Sequence, residues 1–107
     1  MGKLFELHIA RRQDLDQLTE LQGVYWDETK PPCYILRATE GAARQLIHKC
    51  KAIGATEYIP SKEPNGEYKI DPKKFRMAVR DVFNDDIGPR KFAEAAVSAE
   101  ESIWVWV

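Results

Sequence analysis

Residues 56–72 read TEYIPSKEPNGEYKIDP. Two short runs rich in β-branched and aromatic residues, 56–59 and 67–70, flank Glu63-Pro64-Asn65-Gly66. This tetrapeptide places Pro at i+1, Asn at i+2 and Gly at the left-handed i+3 position of a type I turn with a following bulge, which predicts a β-hairpin. Asp71-Pro72 follows at once, an N-cap with proline in the first helical position. Beyond it Phe75, Ala78, Val79, Val82 and Phe83 recur on one helical face, and Asn84-Asp85-Asp86 with Gly88-Pro89 ends the helix over 72–84. A hairpin abutting an amphipathic helix puts the chain in the α+β class.

Working back from the hairpin, Thr39 caps a second amphipathic helix over 40–53. Ala43, Leu46, Ile47, Cys50 and Ile53 lie on its inner face and Gly54 stands as its C′ residue. Cys33-Tyr34-Ile35-Leu36-Arg37 reads as a strand, and Pro31-Pro32 breaks any ladder between it and Val24-Tyr25-Trp26, a short segment expected to pair before it or to pack on the sheet. Further back, Asp14 and Gln17 have capping-box spacing ahead of Leu15, Leu18 and Leu21, with Gly23 as the stop, so a short helix is expected there. Residues 3–11 alternate, with Phe5, Leu7 and Ile9 on one side and Glu6, His8 and Ala10 on the other, as in a half-buried strand. On the C-terminal side an alanine-rich helix from about Pro89 to Glu100 turns Phe92, Ala96 and Ala99 inward, and residues 102–107 form a last strand. The expected architecture is a single α+β domain spanning 1–107, with a mixed or antiparallel sheet of about 4–5 strands packed with 3–4 helices.

The chain has 107 residues, 44% of them apolar and 31% charged, the balance of an ordinary globular protein and not of a disordered or collagen-like one. It holds no apolar run of membrane-spanning length and opens without a secretory signal, so a cytoplasmic location with no membrane contact is expected. Gly2 is followed by Glu6 where a myristoylation signal needs Ser or Thr.

The formal net charge of -1 conceals a segregation. Residues 1–40 carry 5 basic and 7 acidic groups, residues 41–80 carry 9 and 4, and residues 81–107 carry 2 and 6. On helix 40–53, Arg44, His48 and Lys51 recur at i, i+4 and i+7, with Lys49 beside them and no acid between residues 41 and 56. Helix 72–84 opens on Lys73, Lys74 and Arg76 and continues to Arg80, all off its apolar stripe. Arg44, His48, Lys51, Lys73, Lys74, Arg76 and Arg80 are the candidate binding surface for an acidic protein partner or a polyanion. Solvated helix faces have the same pattern when acids elsewhere in the fold balance them. The last two helices do not read as a DNA-binding pair, since Glu94, Glu100 and Glu101 follow Arg90 and Lys91 on the second of them.

Trp104 and Trp106 alternate with Ile103, Val105 and Val107, so both faces of the terminal strand are apolar. One face meets the core. The other is covered by a helix, or presents two tryptophans to a partner, or leaves the strand to pair edge to edge in a homodimer. Cys33 and Cys50 are expected reduced and buried, without Cys-x-x-Cys spacing. A zinc site would need His8, His48, Cys33 and Cys50 to converge without a local ligand pair, so no metal and no cofactor are expected. Glu6 and His8 share a strand face as a carboxylate–imidazole pair without a nucleophile, and Glu67-Tyr68-Lys69 has the Glu-x-Lys spacing of metal-dependent nucleases with only Glu57 for the missing Asp. Asp85 and Asp86 fit turn residues better than cation ligands.

These features point to a small non-catalytic binding protein that regulates or inhibits a protein partner through its basic surface and aromatic last strand. Accessory and inhibitor proteins of phages and plasmids have this size. Nucleic-acid binding through helices 40–53 and 72–84 is the alternative, and a metal-dependent nuclease or other small hydrolase the next.

Overall fold

A computed structural model describes residues 3–9, 23–28, 32–60 and 66–106. The elements run β1 (Lys3–Leu7), β2 (Val24–Asp27), β3 (Cys33–Ala38), α1 (Glu40–Ala52), β4 (Thr56–Ile59), β5 (Glu67–Ile70), α2 (Pro72–Phe83), α3 (Ile87–Ala99) and β6 (Ile103–Trp106). The strands form one six-stranded sheet in the order β2-β3-β1-β6-β5-β4, and every pair in it is antiparallel. The sheet therefore has six strands where 4–5 were expected, because 24–27 is a full edge strand paired with β3 from Val24↔Leu36 to Asp27↔Cys33. Pro32 lies in the connection, outside the ladder. The expected helix around Asp14–Leu21, along with Pro31 and Glu63-Pro64-Asn65, lies outside the described residues.

The three described helices pack on one face of the sheet, with α2 adjoining both α1 and α3. Phe75 of α2 ties the layers together, its ring 5.7 Å from Phe5 of β1 and 6.1 Å from Phe92 of α3. Leu7, Tyr34, Leu36, Ile70, Ile103 and Val105 complete the buried sheet side, and Ala43, Leu46 and Cys50 bring α1 onto it. Trp26 packs edge-on to Tyr34 at 4.8 Å, so it is a core-flanking residue. No described helix is long and apolar enough to cross a membrane.

The caps act as the residue types dictate. Thr39 Oγ1 accepts from the Ala42 amide at 3.3 Å, and Asp71 Oδ2 accepts from the Lys74 amide at 3.0 Å ahead of Pro72. Gly54 takes a positive φ of 70° after α1. Ile53 is the C-cap and 39% exposed, so it does not point inward as its spacing suggested. On α3 the buried alanines are Ala93, Ala95 and Ala96, and Ala99 in the last turn is exposed. That helix starts earlier than expected, at Ile87, and holds Gly88 and Pro89 buried in its first turn, where proline's missing N–H has no intrahelical partner to lose.

The hairpin has the expected limits, but Gly66 is not in the left-handed region. Its constraint is space: a Cβ there would meet the Tyr58 hydroxyl at 2.5 Å and the Ile59 carbonyl oxygen at 2.7 Å. Gly66→Ala is therefore expected to lower stability by about 1–3 kcal/mol in a urea titration. Ile103→Ala, in the strand that pairs with both β1 and β5, is expected to cost about 2–5 kcal/mol in a single cooperative transition. Two separate transitions would show that the sheet halves unfold independently.

Candidate functional site

Helix periodicity and the packing of α1 against α2 decide where the basic side chains go. Lys49 on α1 reaches Asp81 on α2, Nζ to Oδ2 at 3.8 Å, so the seam between the two helices carries a neutralised pair. At 100° per residue, Arg44 lies about 140° around the axis from Lys49, which turns the Arg44–His48–Lys51 stripe away from α2. There it lines a recess of about 240 Å³ with Lys3, Glu40 and Ile47. Glu40 meets Arg44 at 3.5 Å in an exposed i,i+4 pair of the kind that adds little stability, and the Lys51 ammonium stands 4.5 Å over the Tyr68 ring.

On α2, Arg76 and Arg80 line a second recess of about 220 Å³ with Met77 and Asp81. Lys73 and Lys74 are exposed in its first turn. The seven candidate residues thus all face solvent, and those that line a recess fall into two recesses with no residue in common. On α3, Glu94 pairs with both Arg90 (4.0 Å) and Lys91 (3.6 Å), which removes the only basic start that helix had.

The aromatic strand is split by its alternation. Ile103 and Val105 are buried under the helices, while Trp104 and Trp106 point to the opposite face, Trp104 half-buried and Trp106 45% exposed. Both edges of β6 are hydrogen-bonded within the chain, so no edge of this strand remains for pairing with a second copy. At its far end Lys3 Nζ donates to the Trp106 carbonyl oxygen at 3.2 Å. Lys3 also lines the α1 recess, so the end of the aromatic strand adjoins the basic stripe of α1.

A second cluster lies on the face opposite the helices. His8 Nε2 is 3.3 Å from Glu6 Oε1, and the Cys33 thiol donates to the same oxygen at 3.8 Å. Glu6 and His8 were legible as a pair because they are two apart on a strand. Cys33 was not, because its place beside them depends on the β1–β3 register, which runs from Lys3↔Ala38 to Leu7↔Tyr34 and brings the start of β3 to the end of β1. The four-residue convergence that a Cys₂His₂ site would need does not form: Cys50 is in the core and His48 is exposed on α1.

Burial, then the neighbouring charges of Glu6 and Asp27, push the Cys33 thiol up to about 12. Burial alone pushes Cys50 up to about 12. Desolvation and Glu6 also raise the Glu67 carboxyl, against a smaller opposing effect of His8. Glu67 and Lys69 lie on this face, Lys69 with its Nζ 5.8 Å over the Trp104 ring, and Glu57 is opposite Lys69.

No protein-family model, curated protein or solved structure matches this chain. The electrostatics make one direct prediction. With the thiols held near 12, about one in ten thousand is ionised at pH 8, and a buried thiol in that state is inert as a nucleophile. Both cysteines are expected to resist a thiol-specific disulfide reagent in the native protein and to react together on unfolding. Fast native-state labelling of Cys33 would contradict the assigned environment.

Proposed function

We propose that this protein is a non-catalytic binding protein that regulates or inhibits an acidic protein partner by occupying a surface on it. The observation that carries the reading is the double role of Lys3, which holds the end of the Trp106 strand and lines the recess of Arg44, His48 and Lys51. The Trp106 ring projects from the side of the sheet opposite the helices, so the exposed tryptophan and the cations of α1 approach each other only at the strand end that Lys3 holds. A partner reaching around that end would meet an apolar anchor and long-range electrostatic attraction. Large aromatics supply most of the affinity at protein interfaces, and complementary charge supplies association rate and partner choice. Lys73, Lys74, Arg76 and Arg80 on α2 form a separate basic patch with the exposed Met77, a second contact for the same kind of partner. Nucleic acid is the competing ligand for both basic patches, and Trp106 favours protein because Leu4, 39% exposed, adds apolar surface on the same face of the sheet.

Affinity capture from a native lysate, with and without nuclease, tests this against three variants: Trp106→Ala, Arg44→Glu with Lys51→Glu, and Lys73→Glu with Arg76→Glu. The expected result is one protein captured equally with and without nuclease, weakened about 30-fold or more by Trp106→Ala. The charge reversals are expected to slow association and to abolish its salt dependence. Capture unchanged in all three folded variants removes the surface. Capture lost on nuclease treatment transfers the reading to nucleic acid, with affinity falling steeply as salt rises.

A further inference from the structure

We propose that Glu6, His8 and Cys33 form a zinc-binding site on the sheet face opposite the helices. Three donor types converge there, a carboxylate oxygen, an imidazole nitrogen and a thiol sulfur, with the ligand atoms all within 4.8 Å of one another. The set is built where two paired strands meet: Glu6 lies within β1, His8 follows just past its end, and Cys33 starts the neighbouring β3.

The spacing suits the ion. With Zn–N about 2.0–2.1 Å, Zn–O about 2.0–2.2 Å and Zn–S about 2.3 Å in a tetrahedral site, adjacent donors stand about 3.4 Å apart for N and O and about 3.6 Å for S and O. The observed separations are 3.3 Å between His8 Nε2 and Glu6 Oε1 and 3.8 Å between Cys33 Sγ and Glu6 Oε1. A metal entering among these atoms needs donor shifts of a few tenths of an ångström on those two edges.

The donor chemistry selects the metal. Thiolate with imidazole is the ligand set of zinc and its soft or borderline neighbours, whereas calcium and magnesium take six or more oxygens. The surroundings of the cluster are acidic. Glu6 and Asp27 both act on the Cys33 thiol, and Glu6 and Glu67 are close enough to act on one another, so these carboxylates favour a cation among them. On binding, the Cys33 S–H bond breaks, its electron pair forms the S–Zn bond and the proton leaves to solvent. Cys33 is 2% exposed and Glu6 and His8 are half-buried, so the metal would be enclosed on the thiol side and approached from the strand end.

The test uses the full chain freed of metal with a chelator, then titrated with zinc chloride against a chromophoric chelator and, separately, with cobalt(II) chloride. One equivalent of zinc should bind, and cobalt should give the near-ultraviolet charge-transfer absorption that only a thiolate ligand produces. Cys33→Ser should abolish that absorption, and His8→Gln should weaken zinc binding at least about tenfold, since even residues outside the ligand shell cost that much. His48→Ala, exposed on α1, should change neither. His8 is half-exposed, so His8→Gln decides the matter if Cys33→Ser fails to fold. Zinc held no better than by an unfolded control, cobalt binding without the charge-transfer absorption, or unchanged affinity in His8→Gln would each overturn the site.

Discussion

The last strand holds the two halves of the sheet together. β1, β2 and β3 form one antiparallel ladder and β4 with β5 another, and β6 alone joins them by pairing with β1 on one edge and β5 on the other. Lys3 and Trp106, which meet at its end, are 103 residues apart in sequence. Closing so long a stretch of chain costs only a little more entropy than closing a short one, because the cost grows with the logarithm of length. It is offset by backbone hydrogen bonds on both edges and by complete burial of Ile103 and Val105. The same alternation that buries those two side chains sends Trp104 and Trp106 to the other face, so the aromatic surface follows from the central place of this strand in the sheet.

The parts of the fold legible in the sequence are those specified by neighbours in sequence. Thr39 and the Asp71-Pro72 pair mark helix starts because a cap is a contact between residues three apart, and the hairpin limits agree because residues 56–59 and 67–70 are joined by a short connection. Ile53 and Ala99 were misplaced because helical spacing was extended past the last turn, where the chain has already left the helix or the core. β2 was hard to recognise as a full strand because its partner lies beyond two prolines, and the central place of β6 is not a local property at all. A period-two run shows which side chains share a face and says nothing about which strand lies alongside.

Charge follows the same rule. The sequence placed nine basic groups in residues 41–80, and the helices carry them, yet the fold divides them. Because α1 and α2 pack side by side, one flank of each is committed to the seam, where Lys49 and Asp81 pair. The remaining cations of α1 are left on the flank toward Lys3, and Arg76 and Arg80 of α2 line a recess of their own. A positive segment in the linear sequence has become two positive patches of different composition, one meeting the end of the aromatic strand through Lys3 and the other holding an exposed methionine.

The cluster of Glu6, His8 and Cys33 shows how one register produces chemistry that no segment contains. Shifting β3 by one residue against β1 would turn Cys33 into the helix-covered core and set a different side chain beside Glu6 and His8. In the observed register the thiol is buried among carboxylates, which suppresses its ionisation and removes it as a nucleophile. The same surroundings respond in the opposite sense to a dication. The carboxylates that oppose a lone thiolate attract the metal, and the metal stabilises the thiolate more than they destabilise it, because its charge is larger and it sits within bonding distance of the sulfur. An inert thiol and a cation site are therefore two states of one electrostatic arrangement, and the presence of the metal decides between them.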